Sequence, residues 1–322
     1  MRGRHFAYFY PDGKPVKDKS ELGRITALAI PPAYRDVWVC PIPNGHIQAT
    51  ARDARGRKQY RYHKRWQEVR DEAKFHRMAA FGAALPKIRK AVARDLRAKG
   101  LTREKILAVA VTFLERTAIR IGNEEYRRTN GSFGLTTLRA RHVHVRGSKI
   151  AVKFRGKTGK EQTVALDDAR LARIIRQCRD LPGQELFEYQ DDDGTIHAIT
   201  SEDVNAYIRE ISGDDFSAKD FRTWSGTIEC IRHLAKPAED AARAKHNVKE
   251  ALACVALHLG NTAAVCRKAY VHPAVIDVYS RYLRLPSNPR GERSVLRLLR
   301  QCEKALDTKT QLKASLKLYA TT

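Results

Sequence analysis

Lysine, arginine and tyrosine are the side chains in this sequence whose types could do chemistry on a phosphodiester. The 322 residues include 61 Lys and Arg against 36 Asp and Glu, a formal charge of +25, and 12 tyrosines. Gly-x-x-x-x-Gly-Lys-Ser/Thr, Gly-x-Gly-x-x-Gly opening a helix, His-Glu-x-x-His and an acidic cluster suited to Mg²⁺ are all missing from the sequence. A basic enzyme of this composition would stabilise a phosphoryl transition state with side-chain cations and attack with a protein nucleophile.

The basic residues recur along the chain and do not form a tail. Basic stretches occur at 52–58, 61–65, 87–99, 127–128, 139–146 and 290–300. Cations spread over folded segments favour a polyanionic partner that is wrapped or clamped. We therefore expect double-stranded DNA as the partner. A ribosome-associated protein, a chromatin-coating protein or a merely basic surface would explain the charge alone.

The cysteines and apolar segments indicate the compartment. The six cysteines are scattered without a Cys-x-x-Cys pair, so neither a zinc site nor a disulfide framework is predicted. Residues 1–6 lack the apolar core of a signal peptide, and the longest apolar stretch, 106–114, is too short for a bilayer. We expect a cytoplasmic, nucleoid-associated monomer with no membrane contact, no metal and no small-molecule cofactor.

Two kinds of pattern divide the chain near residue 72. The first part is predicted to be β-rich, with Phe6, Tyr8 and Tyr10 alternating, a short strand at 37–40, and paired strands at 45–51 and 58–63 around a turn at 53–56. The rest is predicted to be mostly helical, because apolar residues recur at helical spacing. The predicted helices are 66–81, 85–99, 103–121, 201–211, 220–234, 247–259, 273–283 and 294–306, interrupted by hairpins at 149–154/162–166 and 185–189/195–199.

Four segments of the larger part bear cationic or nucleophilic residues in a familiar order. Thr117-Ala-Ile-Arg120-Ile-Gly resembles the helix that bears the first catalytic arginine of type IB DNA topoisomerases. Lys153-Phe-Arg-Gly-Lys157 resembles the hairpin with their catalytic lysine, and Lys219-Asp-Phe-Arg222-Thr-Trp resembles the segment with their second arginine. Cys266-Arg-Lys-Ala-Tyr270-Val-His-Pro is similar to their nucleophile region. Each motif alone is short, and the family order makes the set specific.

The N-terminal part carries a matching motif. Gly56-Arg-Lys-Gln59-Tyr60-Arg-Tyr62 is similar to a strand of the small DNA-clamping domain, so the resemblance covers nearly the whole chain and points to the poxvirus-type and bacterial branch. It implies an α+β fold: a small β-rich domain, 1–72, and a larger, mostly α-helical catalytic domain, 73–322, with β-hairpins, as in the catalytic fold shared with tyrosine recombinases. It also implies relaxation of positive and negative supercoils without ATP or metal.

The resemblance assigns a role to each motif residue. Tyr270 attacks a backbone phosphorus and becomes linked to the 3′ end; a phenol has a reference pKa of about 10, so it needs help to lose its proton. Arg120 and Arg222 bind the non-bridging oxygens, where charge accumulates. Lys157, at the glycine-flanked tip of its hairpin, protonates the departing 5′ oxygen. Lys153 lies in the same hairpin and is the competing lysine.

One position departs from the family pattern. Viral and eukaryotic members carry a histidine nine residues before the tyrosine, where this sequence has Asn261. Asparagine can donate a hydrogen bond to a non-bridging oxygen but carries neither charge nor a titratable proton. We expect Asn261 to bind the phosphate. The nearby His258 lies on a predicted helix, where packing is the more common role for a histidine.

Four further residues are expected to bind DNA. Gln59 could bind a base edge in the major groove, and Tyr60 and Tyr62 alternate on a strand and so share one side. The competing interpretation is that either tyrosine packs in a β core. Tyr126 is similar to a DNA-contacting tyrosine downstream of the family's first arginine, although two glutamates precede it.

Two other functions are compatible with parts of the sequence. A tyrosine recombinase or integrase would share the Arg–Lys–Arg–Tyr chemistry, but such enzymes usually carry His-x-x-Arg where this sequence has Lys219-x-x-Arg222, and their first domain is usually helical. A non-catalytic nucleic-acid-binding protein would explain the charge but not the ordered motifs. Tyr279 and Tyr282, which follow Tyr270, are predicted to be packing residues.

Overall fold

The computed structural model describes residues 6–54, 56–157, 159–287, 289 and 291–319, with the backbone alone for 67–73, 76 and 306–319. Arg55 of the predicted turn, Thr158 of the predicted hairpin and residues 1–5 lie outside this description. The chain divides into two compact units, Met1–Lys74 and Phe75–Thr322. The division lies two residues beyond the domain boundary expected at residue 72, which stays a prediction.

The smaller unit holds a three-stranded antiparallel sheet in the order β1-β2-β3, formed by Arg35–Val39, Ile47–Arg52 and Lys58–Tyr62. The three predicted strands are therefore confirmed within a few residues. The sequence did not predict helix α1, Lys19–Ala27, although its N-cap Asp18 accepts hydrogen bonds from the Ser20 and Glu21 N–H groups. The alternation at residues 6–10 forms only one isolated bridge, Phe9 to Pro15.

Helix α2, Lys64–Asp95, is continuous where the sequence predicted two helices. Pro86 lies inside it, and an internal proline normally breaks a helix because it removes a hydrogen bond and clashes with the preceding turn. The flanking side chains explain its persistence. Phe81, Leu85 and Ile88 are fully buried in the core, so packing on both sides of the proline outweighs the local preference for a break.

The larger unit is mostly helical, with two small antiparallel ladders. Its sheet has the order β4-β5-β6, and β7 pairs with β8. This arrangement confirms the α+β class; α4, α5, α9 and β4 were not predicted. The elements are α3 Arg103–Thr117, α4 Glu124–Asn130, β4 Val143–Arg146, β5 Lys149–Arg155, β6 Glu161–Asp167, α5 Ala169–Arg179, β7 Glu188–Gln190, β8 Ile196–Ala198, α6 Ser201–Ser212, α7 Ala218–His233, α8 Ala241–Leu259, α9 Ala263–Ala269, α10 Pro273–Tyr282 and α11 Glu292–Tyr319.

Helix α3 is the central element of this core. Thr102 caps it by accepting a hydrogen bond from the Lys105 N–H, as predicted, and every residue from 105 to 114 is buried. The helix ends at Thr117 and not at residue 121, because Ala118 adopts a left-handed conformation with φ 50°. Arg120 therefore lies beyond the helix, in a segment without regular secondary structure. Among the described residues, no helix combines the length and apolar character needed to cross a membrane.

Candidate active site

Arg120 is positioned by the segment that follows α3. Its carbonyl accepts a hydrogen bond from the Leu135 N–H at 2.8 Å. Gly122, at φ +97°, lies so close to Gly134 that a Cβ on Gly134 would come within 2.5 Å of the Gly122 backbone. The half-buried Arg120 side chain donates from Nη2 to the Gly260 carbonyl at 2.8 Å and to the Asn261 side-chain oxygen. The segment thus holds Arg120 against the end of α8.

Arg222 is the most deeply buried cation of the predicted site, with 5% of its surface exposed. It lies in α7 and donates from Nη2 to the Leu259 carbonyl at 2.8 Å and from Nη1 to the Ala118 carbonyl. Those two carbonyls belong to the C-terminal ends of α8 and α3. Arg222 therefore joins the same two helix ends that position Arg120.

Three buried N–H donors converge here without a partner among the described residues: Arg120 Nη1, Arg222 Nε and the Asn261 side-chain nitrogen. Asn261 follows Gly260, whose φ of +57° ends α8, and its Oδ1 is already used by Arg120. A buried unpartnered donor costs roughly 1–3 kcal/mol. A cluster that offers only donors is complementary to an anion with several acceptor oxygens, such as a phosphate.

Tyr270 lies at the C-terminal end of α9, where its N–H donates to the Cys266 carbonyl at 2.9 Å. The Arg222 guanidinium carbon is 5.0 Å from the centre of the tyrosine ring. The Thr227 hydroxyl donates to the Tyr270 carbonyl at 3.3 Å, and a Cβ on Gly226 would be only 2.8 Å from that carbonyl oxygen. Helix α7 thus positions both Arg222 and the tyrosine backbone.

Lys157 lies at the tip of the β5–β6 hairpin. The tip is closed by a hydrogen bond from the Gly156 N–H to the Lys160 carbonyl at 2.9 Å, and Gly159 has a φ of +76° that suits glycine. The exposed Lys157 side chain places Nζ 4.9 Å from the centre of the Tyr126 ring. Lys153, the competing lysine, forms an ion pair with Glu161 at 3.1 Å instead.

A single pocket brings most of these groups together. Four of the five predicted catalytic residues line it, and Asn261 joins them through its hydrogen bond to Arg120. Lys219, from the same motif as Arg222, and Tyr126 also line the pocket. The lining residues are Arg120, Ile121, Gly122, Asn123, Tyr126, Ser132, Phe133, Lys157, Ala218, Lys219, Arg222 and Tyr270.

Burial sets the electrostatics of the pocket. It lowers the pKa of the Arg120 guanidinium, and the charge of Arg222 lowers that pKa further. Burial also lowers the pKa of Arg222. The ordinary pKa of arginine is so far above neutral pH that both groups stay charged, and binding an anion would stabilise their buried charges. Among the described residues, no group of three or more His, Cys, Asp or Glu side chains could hold a metal ion.

Three contributors to the site were missed in the sequence. Gly226 and Thr227 contact the Tyr270 backbone. The Gln162 side chain fills the space beside Gly156 and Gly260, where an added Cβ on either glycine would lie 2.7 or 2.6 Å from that side chain, respectively. A Gly-Thr pair one turn after Arg222 was an available signal, because a glycine inside a helix often marks a close approach. Nothing in the local sequence marks Gln162.

Two of the packing predictions were wrong. His258 is exposed on α8, and its Nε2 is hydrogen-bonded to the Ser225 hydroxyl at 2.7 Å. Tyr282 is 46% exposed, because it lies at the last residue of α10. Tyr279 is fully buried, as predicted, and its hydroxyl donates to the Lys236 carbonyl at 2.8 Å.

The residues predicted to bind DNA in the smaller unit lie on β3. Tyr60 and Tyr62 stack with ring centres 6.1 Å apart, which places them on the same side of the strand. Tyr60 is 44% exposed and does not fill a core. The Gln59 amide donates to the buried Asp53 carboxylate at 3.0 Å, so its direction is fixed by a neighbour. Neighbouring strand residues alternate between faces, so Gln59 lies on the face opposite the two tyrosines, whereas Lys58 Nζ lies 5.7 Å from the Tyr60 ring centre on the tyrosine face.

Comparison with known families is consistent with this geometry. Residues 63–284 match the family model described as eukaryotic DNA topoisomerase I, catalytic core. Residues 5–53 match the model described as bacterial DNA topoisomerase IB, N-terminal domain. The N-terminal-domain match lies within the smaller unit, and the catalytic-core match begins at residue 63, near the end of that unit, and covers most of the larger one.

Several viral proteins are similar over most of their length. The chain is 32% identical over 286 residues to DNA topoisomerase 1B of Acanthamoeba polyphaga mimivirus, covering 86% of this chain and 85% of the relative. It is 21% identical over 293 residues to DNA topoisomerase 1B of vaccinia virus (strain Copenhagen) and to DNA topoisomerase I of monkeypox virus, covering 84% of this chain and 89% of each.

Proposed function

The chain belongs to the type IB DNA topoisomerase family, and we propose that it relaxes positive and negative supercoils by nicking one strand of duplex DNA, letting the duplex swivel and resealing the nick. The observation that carries this proposal is the set of three buried, unpartnered donors on Arg120, Arg222 and Asn261, with the Arg222 guanidinium 5.0 Å from the centre of the tyrosine ring. A phosphodiester has the acceptor oxygens that these donors lack. A backbone phosphate seated there would lie next to Tyr270.

The placement of these groups supports the following cleavage step. The Tyr270 oxygen forms a bond to phosphorus, its proton passes to water, and the bond from phosphorus to the 5′ oxygen breaks. Arg120, Arg222 and Asn261 hydrogen-bond the non-bridging oxygens, where negative charge accumulates in the transition state. The two arginines are held by the Gly260, Leu259 and Ala118 carbonyls, and Asn261 is held by Arg120, before the substrate arrives, so little reorganisation is needed.

Lys157 supplies the proton that the leaving 5′ oxygen takes up. An alkoxide is a poor leaving group, so proton donation in the transition state lowers the barrier. The 3′-phosphotyrosine keeps the energy of the broken bond. The free 5′ hydroxyl can therefore attack the phosphotyrosine in the reverse reaction, and resealing requires neither ATP nor a metal ion.

The smaller unit and α4 are assigned to DNA binding. Gln59, Tyr60 and Tyr62 on β3 and Tyr126 on α4 would contact the duplex, helped by the excess of 61 basic over 36 acidic residues. Contacts directed mainly at phosphates would let the enzyme bind many sequences. We infer that the protein acts as a monomer on nucleoid DNA in the cytoplasm.

The role of Lys157 is tested by changing the leaving group. Lys157→Ala should slow single-turnover cleavage by about 100- to 10,000-fold on a normal strand. A 5′-bridging sulfur at the scissile bond leaves as a thiolate without protonation, since a thiol has a pKa of about 8.5, and it should restore most of the rate. Lys153→Ala is the matched control, because Lys153 shares the hairpin but pairs with Glu161. A variant that stays equally slow on the sulfur substrate would remove the general-acid role.

A further inference from the structure

The Lys157 side chain enters the pocket from an exposed hairpin tip, and its own hairpin does not fix its direction. Lys153 of the same hairpin pairs with Glu161, whereas Lys157 has no carboxylate partner within the described part of the chain. The pocket also contains Arg120, Lys219 and Arg222, whose positive charges repel an ammonium. Before DNA binds, charge alone would therefore drive Lys157 out into solvent.

The Tyr126 ring opposes that tendency. Lys157 Nζ lies 4.9 Å from the ring centre, within the range in which an aromatic quadrupole attracts a cation. The ring itself is held by a capped helix: the Asn123 side chain accepts a hydrogen bond from the Tyr126 N–H at 3.2 Å, and Arg127 is 4.0 Å from Glu185. Because the helix that carries the Tyr126 ring is held in place, the ring can bind the Lys157 ammonium and restrict its movement.

We propose that Tyr126 is a positioning residue for Lys157, whose aromatic face keeps the ammonium inside the pocket that contains Tyr270. This inference rests on the general-acid role proposed for Lys157, and it is separate from any contact between the Tyr126 hydroxyl and DNA. The ring acts through the lysine. Its loss should therefore affect only the step that needs a proton at the 5′ oxygen.

The measurement is the ratio of single-turnover cleavage rates on a 5′-bridging sulfur strand and on the normal strand, at saturating enzyme. Tyr126→Leu should slow cleavage of the normal strand by roughly 2- to 30-fold, which is the rate effect that corresponds to the loss of one cation–π contact. The cleavage rate of the strand with the bridging sulfur should hardly change. The sulfur-to-oxygen ratio then rises toward that of Lys157→Ala. Tyr126→Phe keeps the ring and should keep the wild-type ratio, whatever the loss of its hydroxyl does to DNA binding.

Two further variants make the result decisive. Tyr282→Leu removes a tyrosine of similar exposure, 46% against 42%, from α10 and should leave the ratio unchanged. In a Lys157→Ala background, Tyr126→Leu should cause no further change in the ratio. If Tyr126→Leu slows both strands equally, the ring has no influence on the lysine and the inference is overturned. If Lys157→Ala itself is not rescued by sulfur, the general-acid proposal fails instead, so the two failures are distinguishable.

Discussion

Replacing Gly226 with alanine is expected to slow DNA cleavage far more than it weakens the fold. An added Cβ would lie 2.8 Å from the Tyr270 carbonyl oxygen, 3.0 Å from a Leu259 methyl carbon and 3.3 Å from the Tyr270 Cβ. Ordinary contact begins at 3.4 Å, so the carbonyl must retreat by 3.4 − 2.8 = 0.6 Å. Because a displacement of about 1 Å at reacting groups can cost about 100-fold, we expect cleavage to slow by roughly 10- to 100-fold.

The fold should tolerate the same change. Alanine gains about 1 kcal/mol over glycine inside a helix, while the crowding against Tyr270 and Leu259 costs about 1–3 kcal/mol. The net loss is then about 0–2 kcal/mol. A domain of this size would lose at most roughly 8 °C in melting temperature. The protein should remain folded and bind DNA at the assay temperature.

Single-turnover cleavage of a strand that cannot be resealed measures the effect on chemistry, and thermal unfolding of the same samples measures the effect on the fold. Gly23→Ala in α1 is the matched control, because a Cβ on Gly23 meets nothing within 4 Å. It should leave the cleavage rate unchanged. A Gly226→Ala variant that cleaves DNA as fast as wild type would refute the claim that α7 sets the tyrosine's position. So would a variant whose cleavage rate falls only in proportion to its loss of folded protein.

Two further predictions concern titratable groups. Burial raises the pKa of Glu185, so its contribution to stability is present below the unfolded pKa of about 4.3 and is lost as pH rises through the folded value. Glu185→Gln should therefore raise the melting temperature at pH 7 and lose that advantage near pH 4; a lower melting temperature at pH 7 would contradict this. Burial raises the pKa of Cys178 and of Cys302 to about 12, so iodoacetamide at pH 8 should label the half-buried Cys254 well before either, as peptide mass spectrometry would show.

The catalytic side chains could be predicted from the sequence because each lies in a short contiguous motif that can be recognised without knowledge of the fold. Arg222 follows Lys219 within one helical turn, and Lys157 lies beside a glycine at a hairpin tip. The structure brings four of the five predicted catalytic residues into one pocket and joins the fifth, Asn261, to Arg120 by a hydrogen bond. That these residues perform the proposed steps stays a prediction.

The supporting contacts could not be predicted, because they join segments far apart in the chain. Nothing in the local sequence marks Gln162, whose role depends on the close approach of Gly260. The Gly226-Thr227 pair could mark a close approach inside α7, but not that the approaching group is the tyrosine backbone. The continuity of α2 through Pro86 likewise depends on packing that local rules do not contain. Helix α5 is different, because its N-cap Asp168 and its apolar spacing were visible in the sequence and were overlooked.

Relaxation of supercoiled plasmid, with EDTA present and ATP absent, tests the central claim most directly when wild type is compared with Tyr270→Phe. Wild type should relax positive and negative supercoils and should leave a covalent adduct when trapped with denaturant. The variant should bind the plasmid with similar affinity but neither relax it nor form the adduct. Wild-type protein that binds plasmid without relaxing it, or a variant that relaxes it as fast as wild type, would contradict this account.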